Sequence, residues 1–289
     1  MTLEDTKRQI KTAGDLLSVV KTMKSLASVN IRQYEEAVRA LDGYSRAVGL
    51  AWLALFRAGG VRLAGSSGPT VVLVIGSDQG MAGPFNDVAL QKAFEEEPGF
   101  RDGAEVIYWA SGERALAGVV DAGRDMAMHF PLPGSLSGID AAVLRIIEAV
   151  DKWQREKGVT RYYVVSNRPS GKTAYRPEAR KLLPLDQEWA GQFEHRSWPA
   201  RNIPMLGLSR EDFFRQLFGQ YLYVELYQAY CHSLAGENAA RLAAMQSAEK
   251  NIDELRERLV AEYRQERQTE ITSELLDVIS GFEALEGGK

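Results

Sequence analysis

Two glycine-bearing stretches of this 289-residue chain have the residue types that hold phosphate. Gly76-Ser77-Asp78-Gln79-Gly80-Met81-Ala82-Gly83 follows the apolar run Val71 to Ile75 and precedes a helical pattern, the order of a phosphate-binding turn. Its glycines are spaced G-x-x-x-G-x-x-G instead of G-x-G-x-x-G, and the Asp78 carboxylate would repel a phosphate, so a structural turn is the better reading. Gly171-Lys172-Thr173 mimics the end of a Walker A loop, but Ser166 stands where the first glycine belongs. Ala174-Tyr175-Arg176-Pro177 is also a poor start for the helix whose amides would face the phosphate. His129, His195 and His232 are scattered, with no H-E-x-x-H pattern, no Cys/His ligand spacing and no G-x-S-x-G elbow. Glu95-Glu96-Glu97 before Pro98-Gly99 reads as a solvated helix end. These residues predict no catalytic site, no cofactor and no metal.

The elements around these stretches divide the chain into three. Between Pro69 and Pro204, short β-branched runs alternate with helical patterns. Strands are expected at Thr70 to Ile75, Glu105 to Trp109, Asp125 to Phe130 and Arg161 to Val165, and helices at Asn86 to Glu97, Gly112 to Ala122 and Ile139 to Lys157. That alternation predicts a mainly parallel, Rossmann-like α/β domain over 69–204. Ala174 to Leu185 would add an antiparallel edge, which tolerates Pro177 and Pro184.

The flanks, 1–57 and 209–289, read as two long helices forming an antiparallel coiled coil. A 3-4 spaced stripe runs from Ile10 through Ala13, Leu17, Val20, Lys24, Ala27, Ile31, Tyr34, Val38, Leu41, Ser45, Val48 and Trp52 to Leu55. Its partner runs Phe214, Leu217, Tyr221, Val224, Gln228, Cys231, Ala235, Asn238, Leu242, Met245, Glu249, Ile252, Arg256, Leu259, Tyr263. Side-by-side pairing from 57 and 209 puts Leu3 opposite Tyr263. Beyond that point a new stripe, Ile271, Leu275, Val278, Phe282, Leu285, opens in another phase. At ~1.5 Å per residue the paired part is roughly 80 Å long and the overhang roughly 30 Å more. Its apolar side has no partner in the chain, which predicts insertion into something else.

Residues 1–57 carry 9 Lys/Arg against 6 Asp/Glu, and 209–289 carry 9 against 15, within a total of −4. An acidic chain without a dense basic stripe argues against a nucleic-acid partner. The one cysteine, Cys231, excludes an internal disulfide and fits a reducing compartment. No apolar run approaches the ~20 residues that cross a bilayer, and none reads as a signal peptide, so direct bilayer insertion is not expected.

Three stretches resemble the gamma subunit of F-type ATP synthases: Val20-Lys21-Thr22-Met23-Lys24-Ser25-Leu26-Ala27 within Ile10 to Arg32; Ser77-Asp78-Gln79-Gly80-Met81-Ala82-Gly83-Pro84-Phe85-Asn86, similar to S-D-R-G-L-C-G-G-F-N; and Glu237-Asn238-Ala239-Ala240-Arg241-Leu242-Ala243-Ala244-Met245 with Asn251, Tyr263, Arg267-Gln268, Ile271-Thr272, Glu274 and Ser280-Gly281. The resemblance spans essentially the whole chain. It implies a non-catalytic rotor shaft inside a hexamer of alpha and beta subunits, with the α/β domain against epsilon and the membrane c-ring. It also implies a peripheral place at the cytoplasmic face of the cell membrane. Lys21, Met23, Lys24, Arg241, Arg267, Gln268, Thr272 and Glu274 match interface positions toward alpha and beta. The chain departs from the family pattern at Asn30, usually lysine, at Ala82 and Pro84 in place of Cys and Gly, and at Leu242 in place of Met. These departures are similar to the divergent second-copy enzymes of some bacteria and archaea, several of them sodium-pumping, although the choice of proton or sodium belongs to the c-ring. Two other readings stand beside the rotor: a static coiled-coil adaptor, and a nucleotide-binding α/β enzyme with coiled-coil arms.

Overall fold

The computed structural model describes residues 2–59, 68–101, 105–170, 175–194, 196–202 and 204–286, with residues 98, 194 and 281–286 described by backbone alone. The element order is α1 (Leu3–Ala58), β1 (Thr70–Ile75), α2 (Phe85–Glu95), α3 (Glu97–Arg101), β2 (Val106–Ser111), α4 (Glu113–Asp121), β3 (Met126–Phe130), a 3-10 turn (Leu136–Gly138), α5 (Ile139–Lys157), β4 (Arg161–Pro169), β5 (Tyr175–Leu183), α6 (Gln187–Glu194) and α7 (Arg210–Glu286). Packing separates two compact units: Ala27–Arg241, and Met1–Leu26 with Leu242–Lys289.

In the unit Ala27–Arg241 the sheet order is β3-β2-β1-β4-β5, with β1, β2, β3 and β4 parallel and β5 antiparallel at the edge. Every residue of β1 is buried, as expected of a central strand covered on both faces. Its alternate residues serve two cores. Val71, Leu73 and Ile75 join Trp109 of β2, Trp153 of α5 and Leu226 and Tyr230 of α7. Val72 and Val74 join Tyr108, Ala110, Ala89 of α2 and Val119 of α4. Pro177 lies in the edge strand opposite Asn167, where its missing N–H costs no ladder bond to a further strand.

Both long helices open on a capping box. Asp5 N donates to Thr2 Oγ1 at 3.3 Å and Thr2 Oγ1 donates to Asp5 at 2.6 Å; Ser209 and Asp212 repeat the arrangement at 3.2 and 2.6 Å. In the unit Ala27–Arg241 the seam places Ala27, Tyr34, Val48, Trp52 and Leu55 of α1 in the interior, with Leu217, Tyr221, Val224, Cys231, Ala235 and Asn238 of α7. Tyr44 pairs with Gln220, and Asn30 Nδ2 donates to Asn238 Oδ1 at 3.2 Å. In the other unit Ala13, Leu17, Met245 and Leu259 are buried, while Arg256 of the expected stripe is exposed.

Two expectations need correction. The acidic run does not end one solvated helix: α2 stops at Glu95 and Glu97 opens α3. Glu97 is buried, accepting from the Tyr108 hydroxyl at 3.0 Å and pairing with Arg124 at 3.0 Å. The overhang also begins later than Tyr263. Thr6, expected to face residue 260, donates to Glu266 at 2.9 Å. Side chains on both helices lean toward their own N-termini, so in an antiparallel pair the residues that touch lie further along than the backbone levels suggest. The sequence pattern did not predict α3, the 3-10 turn or α6. Helix α6 is fixed by Asp186 Oδ1 accepting from Trp189 N at 2.9 Å and by edge contacts of Trp189 with Trp52 and Tyr221, at 4.8 and 5.3 Å between ring centres.

Candidate partner-binding surface

The crevice where an open α/β sheet would take a ligand lies beyond the carboxyl ends of its strands, between β1 and β4, where the strand order reverses. Here α7 occupies it. Tyr230 donates to Ser111 Oγ at 2.8 Å at the end of β2, Ser233 Oγ donates to the Ile75 carbonyl at 3.4 Å at the end of β1, and Gly236 lies against the Asn167 carbonyl of β4.

The Gly76–Gly83 stretch is the turn that makes this fit. Asn86 Oδ1 accepts from Ser77 N and its Nδ2 donates to Ser77 Oγ, each at 2.9 Å. Asp78 Oδ1 accepts from Glu113 N at 3.1 Å, at the start of α4. A Cβ on Gly76 would sit 2.6 Å from Asn86 Oδ1 and 2.7 Å from Ala115 Cβ, so glycine serves a close approach of chain segments. Phe85, fully buried, then meets Tyr175 at 5.2 Å and packs with Ala240 of α7, while Asn167 Nδ2 donates to the Phe85 carbonyl at 2.7 Å. Gly171-Lys172-Thr173 and His195 lie outside the described residues.

Burial holds two of the described titratable residues, Cys231 and His232, in neutral forms. Burial pushes the Cys231 thiol up to about 12, which leaves no thiolate near neutrality. Burial, with Arg168 and Arg180 nearby, lowers His232 to about 4. Among the described residues no group of His, Cys, Asp and Glu could hold a metal, and no helix is long and apolar enough to cross a membrane.

The candidate interface residues fall in both units. In the unit Ala27–Arg241, Arg241 folds back along α7. Its side chain is 14% exposed and Nη2 meets Glu237 Oε1 at 2.5 Å. In the other unit Lys21 is exposed and Met23 half-buried. Lys24, a break in the α1 stripe, pairs with Glu249, a break in the α7 stripe, at 2.5 Å. The lysine hydrogen bond holds the Glu249 carboxyl below its ordinary value. Arg267, Gln268, Thr272 and Glu274 are exposed, and Thr272 Oγ1 donates to the Gln268 carbonyl at 2.8 Å.

From Arg267 to Ser280 every side chain is exposed, including Ile271 at 48%, Leu275 at 58% and Val278 at 65%. A second exposed apolar strip escaped the periodicity argument. Leu16, Val19 and Leu26 of α1 are each more than half exposed, and Leu255 of α7 is 42% exposed. Each sits one position before a seam residue, and in an antiparallel pair those positions share a flank. The signal was present in the sequence as a parallel stripe one residue out of phase.

A model of the family described as ATP synthase matches residues 2–285. The chain belongs to the ATP synthase gamma family. Relatives of this family include the ATP synthase gamma chains of Rubrobacter xylanophilus, 29% identical, and Geotalea uraniireducens, 25% identical, each alignment covering 99% of both chains. The fold is similar to a chain of the Euglena gracilis mitochondrial ATP synthase (OSCP/F1/c-ring, rotational state 3), with a TM-score of 0.69 at 17% identity over 99% of this chain and 95% of that one. A chain of the same organism's rotor in rotational state 1 gives 0.66 at 15% identity, over 93% and 99%.

Proposed function

We propose that the chain is the central rotor shaft of an F-type ATP synthase. It couples ion flow through the membrane sector to the state of the catalytic beta subunits and has no catalytic site of its own. The observation that carries this reading is the run Arg267 to Ser280, a helical segment with Ile271, Leu275 and Val278 exposed along one side. Burial of each such side chain is worth about 1.5–3 kcal/mol, so the segment gains most when a surrounding protein covers it. In this reading a ring of alpha and beta subunits surrounds the coiled coil 1–57 and 209–289, with epsilon and the c-ring against the inserted domain 69–204; the likeness to a chain of an OSCP/F1/c-ring assembly supports it. Lys21, Met23, Lys24, Arg241, Arg267, Gln268, Thr272 and Glu274 face alpha and beta in this reading. The chain sits peripherally at the cytoplasmic face of the cell membrane, and the c-ring sets whether the ion is a proton or sodium. A rotor shifts its partners only through different affinities for their states, and polar, exposed residues such as Gln268 and Thr272 suit contacts that form and release.

Co-expression with the alpha and beta subunits of the same operon, followed by native mass determination, tests this. One copy of the chain per three alpha and three beta is the expected result. Recovery of the chain alone beside competent alpha and beta overturns it.

A further inference from the structure

The Glu237–Arg241 pair is held in an incomplete form. Glu237 is 5% exposed and takes only one guanidinium nitrogen, Nη2. Nη2 and Nε lie along one edge of the guanidinium, the edge that grips a carboxylate with two parallel bonds. Nε is buried and has no hydrogen-bond partner among the described residues. Above the pair opens a cleft of about 190 Å³, lined by Asn30, Tyr34, Asp78 and Gln79 as well as by Glu237 and Arg241 themselves. Burial raises the Glu237 carboxyl above its ordinary value, Arg241 opposes that, and the Asp78 charge adds to it. The acid is thus poorly solvated, and its charge is met by Arg241. A bidentate acid arriving through the cleft would complete the vacant edge, and Glu237 would have to yield Nη2.

We propose that Glu237 is an intramolecular latch that competes for the Arg241 guanidinium with a carboxylate presented by the docked partner. This rests on the rotor reading above, in which Arg241 meets beta. With the latch closed, Arg241 is withheld from the partner. When an acid draws it away, Glu237 is left buried without its cation and Asp78 repels the newcomer, so the docked contact is short-lived. Glu237 therefore acts as a positioning residue that sets how long Arg241 stays engaged.

The test uses the complex assembled with cognate alpha and beta, in four forms: unaltered, E237Q, R241A and the double variant. E237Q keeps the shape and one acceptor of Glu237 and removes the competing charge. The expected result is a several-fold fall in ATP hydrolysis kcat with KM for ATP unchanged, a matching lengthening of one dwell in single-molecule rotation, and no further effect of E237Q when Arg241 is already alanine. E237D, whose shorter side chain retreats from Nη2, should move kcat the same way if E237Q folds poorly. Equal effects of E237Q with and without Arg241, in complexes of correct native mass, overturn the latch and leave the rotor reading intact. A chain that enters no complex in any form overturns both.

Discussion

The Tyr230 hydroxyl donates to Ser111 Oγ at 2.8 Å with both residues buried, joining the first third of α7 to the carboxyl end of β2. Burial pushes this phenol up to about 12, with the serine bond opposing the rise, so it is a neutral donor at any ordinary pH. Removing it strands the serine oxygen where water cannot reach. Tyr230→Phe should cost about 1–3 kcal/mol, read as a lower urea midpoint with an unchanged slope. An unaltered midpoint would show that the bond adds nothing to the contact between helix and sheet.

Because α7 fills the sheet crevice, the isolated chain should bind no ATP at millimolar concentration by calorimetry, and Lys172→Ala should change nothing. Low-micromolar binding lost in that variant would revive the nucleotide-enzyme reading. The turn that admits α7 should be sensitive to volume. Gly76→Ala brings a Cβ within 2.6 Å of Asn86 Oδ1 and 2.7 Å of Ala115 Cβ. Overpacking of this kind costs about 1–3 kcal/mol, measurable as a lower melting temperature.

The sheet was legible in the sequence because β1 is a continuous apolar run between turn residues and because prolines mark the edge strand. The seam was legible because its period persists for eight turns or more, and two of its polar interruptions, Lys24 and Glu249, proved to be each other's partners. Pattern alone failed where tertiary contacts decide. Glu97 reads as solvent-facing until Tyr108 and Arg124 are brought to it from elements later in the chain. Helix α6 is short, and the aromatic neighbours that hold it are distant in sequence. The i,i+4 spacing of Glu237 and Arg241 offered the pair, but not that both side chains would be buried, at 7% and 14% exposure.

His232 provides a pH signature. Its folded value of about 4 lies below the ordinary 6.5, with burial the main cause and Arg168 and Arg180 adding to it. Between these values the unfolded chain binds the proton and the folded chain does not, so stability falls as pH drops from about 6.5 toward 4. Above 6.5 this group contributes no slope. His232→Gln should flatten that part of a urea-stability profile measured against pH. The same slope in the variant would assign the acid sensitivity to other groups.

Among the described residues, Thr6 Oγ1 donating to Glu266 at 2.9 Å is the last cross-helix side-chain bond before the exposed end of α7. Most helical stability in proteins comes from packing of one face and not from propensity, so amide exchange in the isolated chain should be fast from Arg267 onward and slow around Leu259. Assembly with alpha and beta should slow exchange in that segment selectively. Ile271→Asp with Leu275→Asp alters side chains that are already 48% and 58% exposed, so the isolated chain should melt within about 4 °C of the parent, since two surface changes of under ~0.5 kcal/mol each shift the midpoint of a chain this long by no more than that. If the surrounding ring covers this stripe, as the rotor reading proposes, the same two charges lose water on assembly, and the yield of correctly sized complex should fall at least several-fold. A double variant that assembles as well as the parent would mean that the stripe is not what the surrounding ring covers, and the exposed flank of Leu16, Val19 and Leu26 would become the first surface to mutate.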